Sequence, residues 1–233
     1  MKHRGKKYTN SVKEFDRLKK YSLKDAVTIM LKDKYVKFDE AVDIAFNLGI
    51  DPKQSDQMVR GAAVLPHGLG KKVRVIVITK GEKVKEAEEA GADFVGLDEL
   101  LAKINGGWFE FDKVVATPDV MGQVGKLGKV LGTRGLMPNP KLGTVTFDLK
   151  KAVTELKAGR TEFRVEKAGI VHATIGRVSF GGEKILDNAK ALVDMIMKLK
   201  PQSSKGIYVK KMSMSSTMGH SIRIDVGDLK NFA

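Results

Sequence analysis

The amino-acid sequence predicts a protein of α/β and α+β class with two domains, a split α+β domain and a Rossmann-like α/β domain inserted into it. In the middle of the chain, short apolar runs alternate with helical patterns, as in a parallel sheet covered by helices. On both sides of this stretch the alternation of apolar runs with helical patterns ends, and both flanks carry an excess of basic residues. We therefore expect residues 1–68 and 159–233 to form one discontinuous domain and residues 69–158 to form the insert.

The first flank is predicted to contain a basic arm, a helix and a strand. Residues 1–10 are basic and have almost nothing to bury, so they are predicted to be a mobile arm. Ser22 has the side chain of an N-cap, and the apolar residues after it are spaced as one face of a helix that ends near Lys32. Between Glu40 and Leu48 apolar residues alternate with small or polar ones, which predicts a half-buried strand.

The middle stretch is predicted to fold in the order strand, helix, strand, helix, strand. The turn residues LPHGLG precede VRVIVIT, a nearly continuous apolar run that is typical of a strand buried on both faces. A helix over residues 83–90, the short strand FVG, the helix DELLAKI and the strand DKVVAT follow. This order predicts parallel strands joined by right-handed crossovers.

The last flank is predicted to supply four strands and one long helix. EFRVEKAGIVHATIGRVSF predicts two strands joined through Lys167, Ala168 and Gly169, and a helix is expected over residues 183–199. The strands IYVKKMSM and SIRIDV then flank the tight segment SSTMGHS. Residues 69–158 hold 15 basic and 12 acidic residues, whereas the two flanks together hold 27 and 16, so the flanks carry most of the positive charge.

The composition favours a polyanionic partner. The chain of 233 residues has a formal net charge of +14, which suits nucleic acid or acidic lipid, with a solvated basic face as the alternative. No apolar run approaches a membrane span and no secretion signal is present, so we expect a soluble, cytoplasmic protein. Without cysteine the chain has no disulfide, thiolate metal site or cysteine nucleophile.

The sequence contains no recognisable site for a cofactor or for catalysis. GLGKKV precedes a strand where a dinucleotide fingerprint must follow one, and GQVGKLGKVLGTRG fits no phosphate loop, so close packing or turn formation is expected of its glycines. The four histidines are too scattered to suggest a metal site or a triad. We expect no enzyme and no cofactor; the alternative is a nucleotide-binding enzyme or sensor that uses the inserted domain.

The flanks carry residue types that suit RNA. Lys and Arg bind phosphates, a phenyl ring stacks on a base or ribose, and hydroxyls bond a ribose 2′-OH. Candidates of these types are Lys37, Phe38, Arg164, Lys167, Lys210, Lys211 and the segment SSTMG. Gly219 would allow close approach of RNA or a bend at positive φ. The alternatives are a core position for Phe38 and an ordinary polar turn for SSTMG.

Four long segments resemble the bacterial ribosomal protein L1 family in order and spacing. They are KFDEAVDIAFNLGIDPKQSDQMVRGAAVLPHGLGK, VLGTRGLMPNPKLGTV, FRVEKAGIVHATIGR and SSTMGHS. The resemblance implies that the split domain is an RNA-binding domain and that the protein belongs to the large ribosomal subunit. GTRGLMPNP is diagnostic of the family, although no chemical role for it follows from the sequence.

The resemblance also implies partners and site residues. The partners would be 23S ribosomal RNA, exit-site tRNA and the protein's own operon mRNA. As a mobile stalk, the protein would assist the release of deacylated tRNA. It would also repress the translation of its own mRNA. Off the ribosome we expect a monomer, without a membrane partner. The RNA-binding residues would be Lys37, Phe38, Arg164, Lys167, His172, Lys210, Lys211, Ser216, Thr217, Met218 and Gly219.

Overall fold

The computed structural model describes residues 5–13, 16–34 and 36–227, and it divides them into two units. The first unit contains the described residues up to Gly70 and from Thr161 onwards, and the second contains Lys71–Arg160. The helices are α1 (Lys6–Val12), α2 (Leu23–Lys32), α3 (Lys83–Glu89), α4 (Asp98–Asn105), α5 (Met121–Val124), α6 (Gly128–Thr133), α7 (Leu149–Ala158) and α8 (Gly182–Lys198). The strands are β1 (Ala41–Leu48), β2 (Arg60–Val64), β3 (Val75–Ile78), β4 (Phe94–Gly96), β5 (Lys113–Ala116), β6 (Arg160–Arg164), β7 (Ile170–Arg177), β8 (Val209–Ser216) and β9 (Ile222–Ile224).

The first unit is built on an antiparallel sheet in the order β7-β1-β8-β9, beside a two-stranded sheet of β2 and β6. Strand β1 buries every second residue, which confirms the predicted alternation. Its apolar side joins a core to which helices α2 and α8 contribute. The other side of the four-stranded sheet is left for polar residues.

Helix α2 confirms the predicted cap. The Ser22 hydroxyl oxygen accepts a hydrogen bond from the backbone N–H of Asp25 at 3.1 Å, which satisfies an amide that has no partner within the helix. The helix then buries Leu23, Ala26 and Met30 against the core. The cap and this apolar face together fix where the helix begins and which side it turns inward.

The second unit has a parallel sheet in the order β4-β3-β5. All four residues of the central strand β3 are fully buried, as its continuous apolar run predicts. Ile76 and Ile78 pack in one cluster with residues of α4, α5 and α6, whereas Val75 and Val77 pack with α3 and α7. The sheet is therefore covered on both faces, and the predicted order of strands and helices is confirmed.

The glycine-rich segment Gly122–Gly135 corrects a prediction. Gly122, Gly125 and Gly128 lie in consecutive short helical turns, and a Cβ on any of them would meet no atom within 4 Å. Neither close packing nor turn formation explains them, so both readings are wrong at these positions. Gly135, with φ of 70°, does end a helix in the predicted manner.

Two further expectations also change. Residues 1–4 of the predicted arm lie outside the described residues, but Lys6–Val12 form helix α1, so an arm with nothing to pack is wrong from Lys6 onwards. The two strands predicted on either side of Gly169 are joined by a single bridge, between Val165 and Val171. Strand β6 otherwise pairs with β2 in one sheet, and β7 pairs with β1 in the other. Within the described ranges, none of the helices has the length and apolar character to cross a membrane.

Candidate RNA interface

The first unit presents a polar sheet face opposite to its core. Paired residues of neighbouring strands point to the same side of a sheet, so the outward side chains form rows across it. The two central rows consist of Thr174, Asp43 and Ser215, and of His172, Ala45, Ser213 and Arg223. The Thr174 hydroxyl donates to the Asp43 carboxylate at 2.6 Å. Most of these side chains are short, so the face offers little steric obstacle to a large ligand.

One end of this face is formed by Thr217–Gly219, called here the 217–219 loop, which connects β8 to β9. Phe38 and Lys37 precede β1 at the same end, because the start of β1 at Ala41 is bonded to Thr217. Lys37 is exposed, and Phe38 and Met218 expose 52% and 50% of their surface. The core alternative for Phe38 is therefore wrong, and two large apolar side chains are available to a partner.

Glu40 is buried beneath the 217–219 loop, with only 2% of its surface exposed. Its Oε1 accepts the backbone N–H of Met218 at 2.9 Å and the hydroxyl of Ser216 at 3.2 Å. Hydrogen bonds to a carboxylate are stronger than those between neutral groups, and burial makes their loss more costly. Glu40 thereby fixes the loop to the segment that carries Phe38.

Ser216 and Gly219 make contacts within the protein that the sequence did not predict. Ser216 is 5% exposed and its hydroxyl donates inward to Glu40, and its direct contact with RNA stays a prediction. Gly219 does not adopt a positive φ, so a bend of that kind is not its reason. A Cβ at Gly219 would instead overlap the Ser216 hydroxyl oxygen.

Thr217 is tied to the first residue of β1. Its hydroxyl oxygen accepts the backbone N–H of Ala41 at 3.0 Å, and its own N–H donates to the Ala41 carbonyl at 3.1 Å. The hydroxyl also lies 3.3 Å from the same carbonyl oxygen. The Thr217 side chain therefore ends the β1–β8 pairing while it remains exposed to a partner.

His220 anchors the downstream side of the loop in the core. Its side chain is fully buried, and Nε2 lies 3.7 Å from Oδ2 of Asp33, the C-cap residue of α2. The ring of Tyr8 on α1 meets the His220 ring edge to face, with the centroids 4.0 Å apart. Helix α1 therefore has a packing partner that its basic sequence does not reveal.

Asp39 holds the Phe38 segment to the end of β7. Its carboxylate accepts the backbone N–H and the hydroxyl of Ser179 at 3.0 and 2.8 Å, and Nη1 of Arg177 lies 3.7 Å away. Desolvation of the carboxylate raises its pKa, but the hydrogen bonds from Ser179 and the charge of Arg177 outweigh this and lower the pKa of Asp39 below its ordinary value. Asp39 and Glu40 therefore fix Phe38 from two sides.

The opposite end of the sheet face is basic. Lys211 pairs with Asn47 of β1, and Lys210 lies at the register shift that follows it. Arg164 and Lys167 line a cavity of about 350 Å³ together with Lys53, Met58 and the neighbouring chain. Asn47 lies six residues along β1 from Ala41, roughly 20 Å in an extended strand. The predicted basic contacts are thus separated from the 217–219 loop by the length of the sheet.

The structure distributes the predicted residues along the length of the first unit rather than in one cluster, and Arg164 lies on β6, outside the four-stranded sheet. Lys37, Phe38 and the 217–219 loop lie at one end, and the predicted basic residues lie towards the other. His172 occupies a row between them, with Nε2 4.0 Å from the Glu166 carboxylate. Sequence reasoning missed Ser213, although the alternation of buried and outward residues in IYVKKMSM could have identified it, and it included Ser215 only as part of the segment SSTMG. The pairing that brings Asp43 to them has no local signal.

The segment GTRGLMPNP has a structural role in the second unit. The Leu136 N–H bonds the Leu131 carbonyl at 2.9 Å and closes α6, and the Asn139 side chain accepts from the backbone of Lys141 at 2.8 Å. The Arg134 guanidinium carbon lies 3.8 Å from the centroid of the Phe109 ring. The motif therefore builds a turn and attaches it to an aromatic residue.

The second unit offers little to a nucleotide. At the carboxyl ends of β3 and β5, where such folds bind ligands, the buried hydroxyls of Thr79 and Thr117 lie 3.3 Å apart and bond each other. The turn after β3 carries Glu82 ahead of α3, a charge that disfavours phosphate. In the part of the chain that the structure describes, no three His, Asp or Glu side chains are grouped to hold a metal ion.

Comparison with known proteins agrees with the sequence motifs. Residues 27–220 match the Ribosomal protein L1p/L10e family. Over 225 residues the chain is 57% identical to the large ribosomal subunit protein uL1 of Desulfotalea psychrophila (strain LSv54 / DSM 12343), an alignment that covers 97% of this chain and 96% of that protein. The resemblance predicted from the four motifs is confirmed, and the chain belongs to the Ribosomal protein L1p/L10e family.

Proposed function

We propose that the chain is a structural protein of the large ribosomal subunit and that it binds 23S ribosomal RNA through the polar sheet face of its first unit. The observation that carries the proposal is the arrangement of that face: exposed Phe38 and Met218 at one end, Lys210 and Lys211 at the other, and short polar side chains between them. Family membership and the uL1 relative support the same partner.

The two ends suit different parts of a folded RNA. Lysines attract phosphates by charge and release condensed counterions, so they contribute affinity without reading sequence. Half-exposed Phe and Met side chains fit unstacked bases or riboses, which double-stranded RNA lacks and loops provide. The proposed ligand is therefore a helical RNA that ends in a loop, with its backbone on the lysines and its loop at Phe38 and Met218.

The proposal extends to the domain organisation and to two further partners. The discontinuous domain of residues 1–68 and 159–233 would bind the RNA, and the insert of residues 69–158 would be carried by it. The stalk position at the exit site, the release of deacylated tRNA and repression through the operon mRNA are proposed on the family resemblance alone.

Crosslinking of the protein to RNA in growing cells, followed by sequencing of the attached RNA, tests the partners directly. We expect one dominant segment of large-subunit ribosomal RNA, with weaker peaks in tRNA and in the protein's own message. Absence of the ribosomal segment would reject the proposed function. Absence of the tRNA or message peak would reject that partner alone.

A second experiment assigns the site to one unit. The two units have separate apolar cores, so we expect a chain in which a short flexible linker joins Gly70 to Thr161 to fold and to bind the crosslinked segment. A folded deletion chain without affinity for that RNA would place the site on the second unit. Saturable binding of a mononucleotide by the full chain would favour the nucleotide-sensor alternative.

A further inference from the structure

The parallel sheet of the second unit has one covered edge and one open edge. At the covered edge, the segment around Val145 runs beside β5: the Ala116 N–H donates to the Thr144 carbonyl at 3.0 Å, and the Thr146 N–H donates to the Ala116 carbonyl at 3.2 Å. At the other edge, no strand within the described ranges pairs with the outer side of β4, called here the open edge. A sheet with such an edge can accept one more strand.

Strand β4 presents a backbone donor and an aromatic side chain at the open edge. The Asp93 N–H donates to the Val75 carbonyl on the β3 side at 2.9 Å, so the N–H of the next residue, Phe94, points the opposite way. The Phe94 side chain is 40% exposed, and its ring meets the Trp108 ring edge to face with the centroids 4.9 Å apart. Trp108 therefore holds the Phe94 ring in place while the ring stays accessible.

The segment that builds the open edge is acidic, although the whole chain is basic. Residues 82–99, which contain α3, β4 and the start of α4, hold seven acidic and two basic residues, whereas the chain has a formal net charge of +14. Three of the acidic side chains form ion pairs with lysines: Glu86 with Lys83, Glu89 with Lys150 and Asp93 with Lys157. Four others are exposed and form no ion pair with a described residue: Glu82, Glu88, Asp98 and Glu99.

Three of these four carboxylates border the open edge. Lys83 of α3 donates to the Phe147 carbonyl beside the start of α7. Glu88 follows Lys83 by five residues, about 140° around the helix, and so lies on the side of α3 that faces away from α7 and towards β4. Asp98 and Glu99 come directly after β4, in the first turn of α4. Helices on both faces of the sheet therefore contribute negative charge to the same edge.

This combination of groups selects the charge of a partner. Phosphates of RNA and of acidic lipids would meet uncompensated carboxylates there, and like charges at an interface are unfavourable. Lysine and arginine side chains would pair with the carboxylates, and either cation is attracted to the face of an aromatic ring such as that of Phe94. A backbone that runs along β4 would accept the outward N–H of Phe94.

We propose that the open edge of β4 docks an extended basic segment of another protein, which adds to the parallel sheet as a further strand. Main-chain hydrogen bonds to β4 hold the segment, Phe94 contacts its side chains, and the bordering carboxylates select lysine and arginine. The inference concerns the second unit and goes beyond the RNA binding that is proposed for the first.

The full-length protein carries its own probe for this test, because Trp108 beside Phe94 is the only tryptophan in the chain. The ligand is a synthetic peptide that alternates arginine and threonine. We expect this peptide to change the fluorescence of Trp108 saturably, and a peptide in which glutamate replaces arginine to have no effect. The arginine peptide with every second backbone amide N-methylated cannot complete a ladder, so it should bind at least about tenfold more weakly.

Amide hydrogen exchange distinguishes strand addition from a loose contact between charges. The Phe94 N–H points to solvent in the free protein, and an added strand would bond it. Saturation with the arginine peptide should therefore slow exchange at Phe94 by about tenfold or more. A peptide that is attracted by charge alone would leave this rate as it is.

Variants with neutral side chains of the same shape assign the binding to the open edge. Asp98→Asn should weaken the arginine peptide about threefold, and the double variant Glu88→Gln with Asp98→Asn about tenfold. The matched control is Asp119→Asn: Asp119 is also exposed and also lies in the first turn of a short helix, but it follows β5. This control should bind the peptide as the unaltered protein does.

Three results would overturn the inference. They are the absence of a saturable change at Trp108, equal losses in Asp98→Asn and Asp119→Asn, and unchanged exchange at Phe94 under saturation. The first would leave the carboxylates as charges that keep the sheet edges of neighbouring molecules apart. The second would show a general attraction to the surface, and the third would remove the added strand.

Discussion

Gly219 and Ser216 share one small space at the turn between β8 and β9. The hydroxyl oxygen of Ser216 occupies the position where a side chain on residue 219 would begin, and the same hydroxyl bonds the buried Glu40. Glycine is therefore required here for volume, whereas its backbone has a φ that other residues adopt. A change at Gly219 should act through Ser216 and Glu40.

The variant Gly219→Ala should destabilise the protein by about 1–3 kcal/mol, because an added methyl group in a packed site forces its neighbours to move. Urea denaturation measures the change, and RNA affinity should fall with it. The double variant Ser216→Ala with Gly219→Ala removes the overlapping oxygen. Its loss of free energy of unfolding should therefore be smaller than the sum of the losses in the two single variants. Simple additivity would show that the two residues do not compete for the space.

The variant Thr217→Val should weaken RNA binding by about 1–3 kcal/mol if RNA approaches the hydroxyl in a water-poor contact. The structure adds a second effect: the Ala41 N–H loses its acceptor, which should lower the free energy of unfolding by about 0.5–1.5 kcal/mol. Thr217→Ser keeps the hydroxyl and serves as the control. An unchanged dissociation constant for Thr217→Val would exclude the hydroxyl from recognition.

The variant Lys211→Ala should weaken binding of all RNAs alike and reduce the slope of log affinity against log salt concentration by about one. Lys211 faces outward beside Asn47, so its charge is available to a phosphate. Lys184→Ala, on the exposed side of α8, is the matched control and should leave the slope unchanged. A loss confined to the specific RNA would contradict a phosphate contact.

The variant Asp39→Asn should lower the melting temperature at neutral pH but make little difference in acid. The pKa of Asp39 is lowered in the folded protein, so its charged form stabilises the fold above the unfolded pKa of about 4, and this contribution is lost as the pH falls through the folded value. Melting curves of both proteins from about pH 7 to about pH 3 should therefore converge. A difference in melting temperature that does not change with pH would show that the substitution acts through the shape of the side chain rather than through its charge.

The parts of the fold that could be predicted are those with a local cause. The Ser22 hydroxyl caps α2 by bonding the N–H of Asp25, three residues away, and the alternation in β1 follows because one side of the strand faces the core. The partners of β6 and β7 could not be predicted, because strand pairing joins residues far apart in sequence. The short helical turns over Gly122–Gly132 were missed because glycine has low helix propensity, which surrounding packing overrides.

The candidate site divides in the same way. Phe38 was identified by residue type and Met218 through the family resemblance, and both side chains are exposed. Glu40 was missed because an acidic residue in a basic domain gives no sign that it will be buried under a loop 178 residues away. The bond from Ser216 to Glu40 could not be predicted, because a hydroxyl can point inward or outward and the position of Glu40 decides which.

The short side chains of the sheet face have a consequence for the thermodynamics of association. Ala45, Ser213 and Ser215 have few rotamers to lose, whereas an interface made of long side chains would immobilise several of them on contact. The loss of conformational entropy on binding should therefore come mainly from the RNA and from the lysines at one end of the face. Because this face has few side chains to order, an RNA that is already folded to match it should bind faster than an RNA that must reorganise.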